Sequence, residues 1–168
     1  MSSQQPPRVV VATARAGQTV RVLDDLVTFT VTGSQTEGAF SLLFDQVLPQ
    51  GSVPMHTQTG QETFIIFQGQ LQFCIQDNGQ MSTFTADRGT VIHIPAGVPH
   101  SYTNLTTSSA SMFVLFTPSG KTERFFKRLG VEVTDPGHVP PFVMPPPETL
   151  AAVFEEFQVQ LVPPPPQA

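Results

Sequence analysis

Between residues 9 and 116 apolar side chains recur in short alternating or continuous runs broken by turn residues, without the three-to-four spacing of an amphipathic helix. The pattern predicts strands at 9–12, 18–23, 27–32, 39–47, 62–68, 70–76, 81–85, 90–94, 100–104 and 111–116. The clearest is Gln70-Leu71-Gln72-Phe73-Cys74-Ile75-Gln76. Leu71, Phe73 and Ile75 share one face and glutamines hold most of the other, as a half-buried strand requires. Asp77-Asn78-Gly79 follows, residues that tolerate positive φ, and predicts a hairpin into the next strand. Short antiparallel strands at this spacing define an all-β sandwich or small barrel.

After Pro118 the spacing becomes helical. Ser119 is expected to cap a short helix in which Phe125, Phe126 and Leu129 are apolar and Gly130 is the stop. A second helix is expected near Pro147, a residue suited to a first turn, with Leu150, Val153, Phe154 and Phe157 at i, i+3, i+4 and i+7. Residues 135–147 read as loop. The resulting organisation is a barrel over 1–118, a helical appendage over 119–162 packing on the barrel or on a partner subunit, and a polyproline tail over 163–168.

Composition narrows the function. The chain has 168 residues, one domain by size, with 12% charged residues against 14 Phe, one Tyr and no Trp, so aromatic packing should outweigh surface ion pairing. The net charge is −5, and the single basic cluster, Lys121, Arg124, Lys127 and Arg128, reads as the solvated face of one helix. That excludes a nucleic-acid partner. Cys74 is the lone cysteine, which suits a reducing compartment. The start lacks the features of a signal peptide, and no window approaches the ~18 apolar residues of a membrane span. The expectation is a cytoplasmic protein without a membrane partner. Sheet edges and abundant Phe point to a homodimer.

The chemistry sits in two clusters. The first is His56-Thr-Gln58-Thr-Gly-Gln-Glu62; the second runs from Gly89 to Asn104 and contains His100. In an extended chain residues two apart face the same way, so His56 and Gln58 point together, and the Thr59-Gly60 interruption lets Glu62 re-enter the same interior. Imidazole nitrogen and carboxylate oxygen suit one divalent first-row ion per chain, Fe, Ni, Mn, Co, Cu or Zn. Gln58 could give its amide oxygen to that ion or hydrogen-bond a bound water or substrate. His93 reads as an ordinary strand residue and His138 as exposed loop. If the parity set by Glu62 continues, Phe64 and Ile66 also face inward, and Tyr102 shares the parity of His100. Met112, Val114 and Phe116 share one face of their strand, but Phe113 and Leu115 opposite are equally apolar, so the inward face stays open. Met55, Val114 and Phe116 complete the candidate wall of an apolar pocket with the metal at one end. The lack of Lys or Arg inside these segments, apart from Arg88 at the edge of a turn, argues against a phosphorylated sugar.

The spacing Gly89-x5-Pro95-x-Gly97-x2-His100-x3-Asn104 resembles the second cupin motif at every defining position, and His56, Glu62 and Gly69 fall in register with the first. Gln58 departs from the pattern by standing where a second His belongs. Gln50 stands where a leading Gly belongs, with Gly51 one place later. The resemblance covers roughly residues 38–118 and implies a double-stranded β-helix, the cupin jelly-roll barrel, with short C-terminal α-helices. Carried over, His56, Glu62 and His100 bind the metal and Glu62 accepts a substrate hydroxyl proton. A single barrel followed by a Phe-rich helix and a proline-rich segment is similar to bacterial quercetinase-like proteins, whose flavonol cleavage uses a metal held by three His and one Glu. The implied function is a metal-dependent dioxygenase acting on an apolar aromatic, enolic or phenolic small molecule. Two alternatives remain: a non-catalytic small-molecule-binding cupin, with Gln58 marking weakened metal chemistry, and a metal-assisted hydrolase, isomerase or decarboxylase using the same ligands.

Overall fold

In the computed structural model, which describes residues 8–163, the alternating runs become two antiparallel sheets. In chain order the strands are β1 (Thr19–Val22), β2 (Asp25–Val31), β3 (Ser41–Val47), β4 (Ser52–Thr57), β5 (Gln61–Gln68), β6 (Gln70–Asp77), β7 (Gln80–Asp87), β8 (Val91–Ile94), β9 (His100–Thr103) and β10 (Ala110–Thr117). Helix α1 (Thr122–Leu129), β11 (Val131–Val133), helix α2 (Pro147–Phe157) and β12 (Gln160–Leu161) follow. One sheet has the order β11-β1-β2-β3-β10-β5-β8, the other β12-β4-β9-β6-β7. The fold is all-β, a jelly-roll sandwich with short C-terminal helices.

Alternation supplies the core between the sheets. On β5, Glu62, Phe64 and Ile66 are buried while Ile65 and Phe67 are exposed. On β10, Met112, Val114 and Phe116 are buried and Phe113 and Leu115 only partly so, which settles the face that parity left open. Phe73 of β6 contributes a fully buried ring, edge-on to Phe64 at 5.3 Å. The β6–β7 hairpin turns through Asn78 and Gly79, both at positive φ, with Asp77 opposite Gln80.

Several expectations are corrected. Residues 9–12 form no strand; Val9 and Val11 are exposed, because an apolar run without a neighbouring strand to bond has nothing to hold it extended. Strand β4 was not anticipated because Pro54 interrupts it. The sheet tolerates Pro54 where the β4–β9 register slips between Val53 and His56. Strands β11 and β12 are too short to carry a pattern and exist by pairing with β1 and β4. Ser119 does not cap α1, which starts three residues later at Thr122; its Oγ donates instead to Gly38 O at 3.2 Å. Glu123 in the first turn accepts from the Gly33 N–H and the Ser41 hydroxyl, tying α1 to the barrel. Gly130 ends α1 by turning extended, at φ −87° and ψ 165°, and the position suits glycine because a Cβ there would lie 2.8 Å from Phe126 O and 2.9 Å from Val22 Cγ2.

Helix α2 starts at Pro147 and buries Val153 and Phe157. The ring of Phe125 on α1 lies 6.2 Å from Phe154 and 5.7 Å from Phe157, so aromatic contacts join the two helices. No helix among the described residues is long and apolar enough to cross a membrane. The expected tail falls, beyond residue 163, outside the described residues, as does the start of the chain.

Candidate functional site

The local fold explains how the donors converge. Strands β4 and β9 pair with His56 opposite His100, and the two rings are 4.5 Å apart. The Pro95-Ala96-Gly97 turn that delivers His100 holds Gly97 at φ 78° and anchors its N–H on Gln58 O at 2.8 Å. Glu62 enters from β5 in the facing sheet, on the face it shares with Phe64. One donor atom from each of His56, Glu62 and His100 lies within 4.8 Å of the others.

Hydrogen bonds orient both imidazoles. His56 Nδ1 is 2.9 Å from Pro54 O and His100 Nδ1 is 2.9 Å from Val98 O. A carbonyl only accepts, so both Nδ1 atoms carry the proton, and each neutral ring turns an Nε2 lone pair toward the site. His100 Nε2 and Glu62 Oε2 stand 2.6 Å apart, and neither has a hydrogen-bond partner within the protein. Buried lone pairs facing one another at this distance need a proton or a cation between them. The donor set, two imidazoles and a carboxylate with orphaned acceptor atoms, therefore fits a divalent first-row ion.

The electrostatics of the two imidazoles agree with that charge arrangement. Burial and the neighbouring His100 lower the His56 pKa. Burial also acts to lower that of His100, but the contact with Glu62 and its charge outweigh it, and the His100 pKa is raised. Without a metal, a proton on His100 offsets the Glu62 charge.

The cluster lines a cavity of about 320 Å³. Gln58, Phe64, Tyr102, Val114 and Phe116 line it; Ile66 is buried in the core but does not, and Met55 does not. Met55 neighbours His56 along a strand, and adjacent residues face opposite ways. Gln58 Nε2 is buried without a partner. A half-turn of the amide exchanges its nitrogen and oxygen, so that position can present either a donor or a ligand oxygen. His93 lies on the outer face of β8, bonded to Thr63, and His138 is exposed in a turn. From α1 and α2, Phe125, Phe126, Phe154 and Phe157 close over the cavity.

Two acidic cavity residues lay outside the sequence reading. Asp25 of β2 and Asp45 of β3 are both 4% exposed, and Tyr102 Oη reaches both, at 2.6 and 3.1 Å. The available signal was a charged residue on the inward parity of an apolar strand, as in Leu43, Asp45 and Val47.

Sandwich, converging donors and apolar cavity define a jelly-roll protein with a candidate metal centre inside its barrel. Its fold is the cupin fold, and residues 44–116 match the Cupin domain family. No curated protein matches the chain by sequence. Among solved structures it is similar to oxalate oxidase, at 20% identity and TM-score 0.56, over 70% of this chain and 63% of that one. Similarity to the oxalate decarboxylase of Bacillus subtilis, whose Mn(II) centres that structure addresses, is 17% at TM-score 0.61, over 92% and 39%. The 7S globulin of Momordica charantia is similar at 16% and TM-score 0.56, over 64% and 34%. The chain thus spans less than two thirds of these proteins' lengths, and the likeness is one of fold.

Proposed function

We propose that the protein is a metal-dependent oxygenase of quercetinase-like type, acting on an apolar aromatic small molecule with an enolic or phenolic hydroxyl. The observation that supports it is the His56–Glu62–His100 cluster lining an apolar, Phe-rich cavity. Oxidoreductases are among its fold neighbours, but oxalate fits this cavity poorly. A dianion needs cations, and Lys121 is the only Lys or Arg among the described residues lining it, its Nζ directed to Glu156 O.

His56, Glu62 and His100 would hold the ion, with Gln58 a weak fourth donor. The ion supplies Lewis acidity and a place for oxygen chemistry when bound. Glu62, fixed beside His100, accepts the substrate hydroxyl proton on Oε2, and Phe64, Val114 and Phe116 hold the ring while excluding water. The lone free Cys74 supports a cytoplasmic setting.

Elemental analysis after mild purification, followed by oxygen uptake with a flavonol, tests the proposal. About one divalent ion per chain and measurable uptake are expected, with both lost in His56→Ala and His100→Ala and retained in His93→Ala. A protein that stays empty when offered Mn, Fe, Co, Ni, Cu and Zn in turn overturns the metal reading. Gln58 in place of an imidazole favours a second reading, a binding cupin; a loaded protein that binds the flavonol without consuming oxygen establishes it.

A further inference from the structure

We infer that Asp25 and Asp45 form a second polar subsite in the cavity, which receives a hydrogen-bond donor, a hydroxyl or an ammonium, at the end of the ligand remote from Glu62 and His100. Tyr102 Oη is 2.6 Å from Asp25 Oδ2 and 3.1 Å from Asp45 Oδ2. A phenol has one proton. If Tyr102 donates it to Asp25, the second contact is a hydrogen bond only when Asp45 carries a proton and donates to Tyr102. The trio then holds together with about one negative charge on Asp25.

That internal arrangement leaves acceptor capacity over. Asp25 Oδ1 and Asp45 Oδ1 are both buried and both lack a partner within the protein. Neither carboxyl takes part in a salt bridge among the described residues. Buried carboxyl oxygens are normally satisfied, and both residues line the cavity, so the missing partner belongs in that space. A carboxylate oxygen only accepts, so the partner must donate. Tyr102 lies two residues beyond His100 on β9, about 7 Å along the strand. One or two fused aromatic rings span that distance between the two polar ends, with Phe64 edge-on to both His100 and Tyr102.

The inference rests on this cavity being the ligand site and not on oxygen chemistry. Three probes test it by calorimetry at neutral pH, with the purified protein and with the same protein loaded with Mn(II): 2-naphthol, 2,6-naphthalenediol, and 6-(aminomethyl)-2-naphthol, whose ammonium is charged. At least one two-ended probe should bind ten times or more tighter than 2-naphthol, the diol identifying a neutral donor and the ammonium a cationic one. Asp25→Leu/Asp45→Leu should reduce that advantage below threefold while still binding 2-naphthol. Should that variant fail to melt cooperatively, Asp25→Asn/Asp45→Asn replaces it, and the ammonium probe should lose its advantage. Equal affinity for all three probes in the natural protein, no binding of any, or an advantage that survives in the folded variant overturns the subsite. Failure of the metal reading shows separately, as 2-naphthol affinity indifferent to Mn(II).

Discussion

Asn104 is wholly buried just past β9; one amide N–H donates to Ser108 O and the other is shared between Val47 O and Leu48 O, while its oxygen accepts from the N–H and hydroxyl of Thr106. Asn104→Ala removes all of these bonds and takes from the Thr106 N–H its side-chain acceptor, and a loss of about 3 kcal/mol in denaturant unfolding is expected. Gln58→His places a better donor beside the cluster, so metal affinity in a competitive chelator titration should rise; an unchanged value puts Gln58 outside the ligand set. Asp25 makes a pH prediction. Burial raises its pKa to about 7, against the Tyr102 hydrogen bond and with help from Asp24. The folded state therefore keeps a proton that the unfolded chain has lost above about 3.8. This contribution to stability is complete below that value and disappears as pH rises through about 7. Asp45, raised in the same direction by burial and by Asp25, adds to the slope. In urea unfolding of the metal-free protein, Asp25→Asn should flatten the decline between about pH 4 and pH 7. The convergence of His56, Glu62 and His100 was legible because motif spacing carries it, whereas Asp25 and Asp45 meet Tyr102 only through strand pairing across the barrel, which spacing along the chain does not encode.

Legibility at the scale of elements followed the same division. Helix α2 could be read from its own residues, a proline at the start and a stripe that buries Val153 and Phe157. Strand β4 could not, because Pro54 speaks against a strand and only pairing with β9 and β12 makes it one. Strands β11 and β12, each following a helix, pair with β1 of one sheet and β4 of the other. The helices are thus laced to the barrel by sheet bonds and by the Phe125, Phe154 and Phe157 rings over the cavity. Removing one ring separates these contributions. Phe157→Ala should cost about 3 kcal/mol of local stability, seen in hydrogen exchange as faster exchange through α2 with β5, β6 and β10 still protected. Uniform loss of protection would mean that the helices and barrel unfold as one unit.

At the scale of the whole molecule, one open sheet edge has an apolar strip beside it. β8 ends the seven-stranded sheet, and beside it the outward side chains Val91, Ile65 and Phe67 are 61%, 38% and 50% exposed. Val91 pairs directly with Ile65, and Phe67 packs edge-on against the half-buried Phe113 and the buried Phe44, so the strip is backed by further rings rather than formed by an isolated residue. An open edge with an apolar face beside it is a template for another strand. We propose that the occupant is a second copy of this chain. A twofold axis beside β8 pairs like with like, satisfies the edge groups of both copies, and buries the strip without covering the cavity, which the C-terminal helices close from elsewhere. Sedimentation at micromolar concentration should give twice the 18.2 kDa chain mass. Val91→Lys places a charge in the middle of the strip and should shift the boundary to one chain mass with the thermal transition nearly unchanged. A natural protein that sediments as a monomer refutes the dimer, and a Val91→Lys protein that remains dimeric moves the contact to another face.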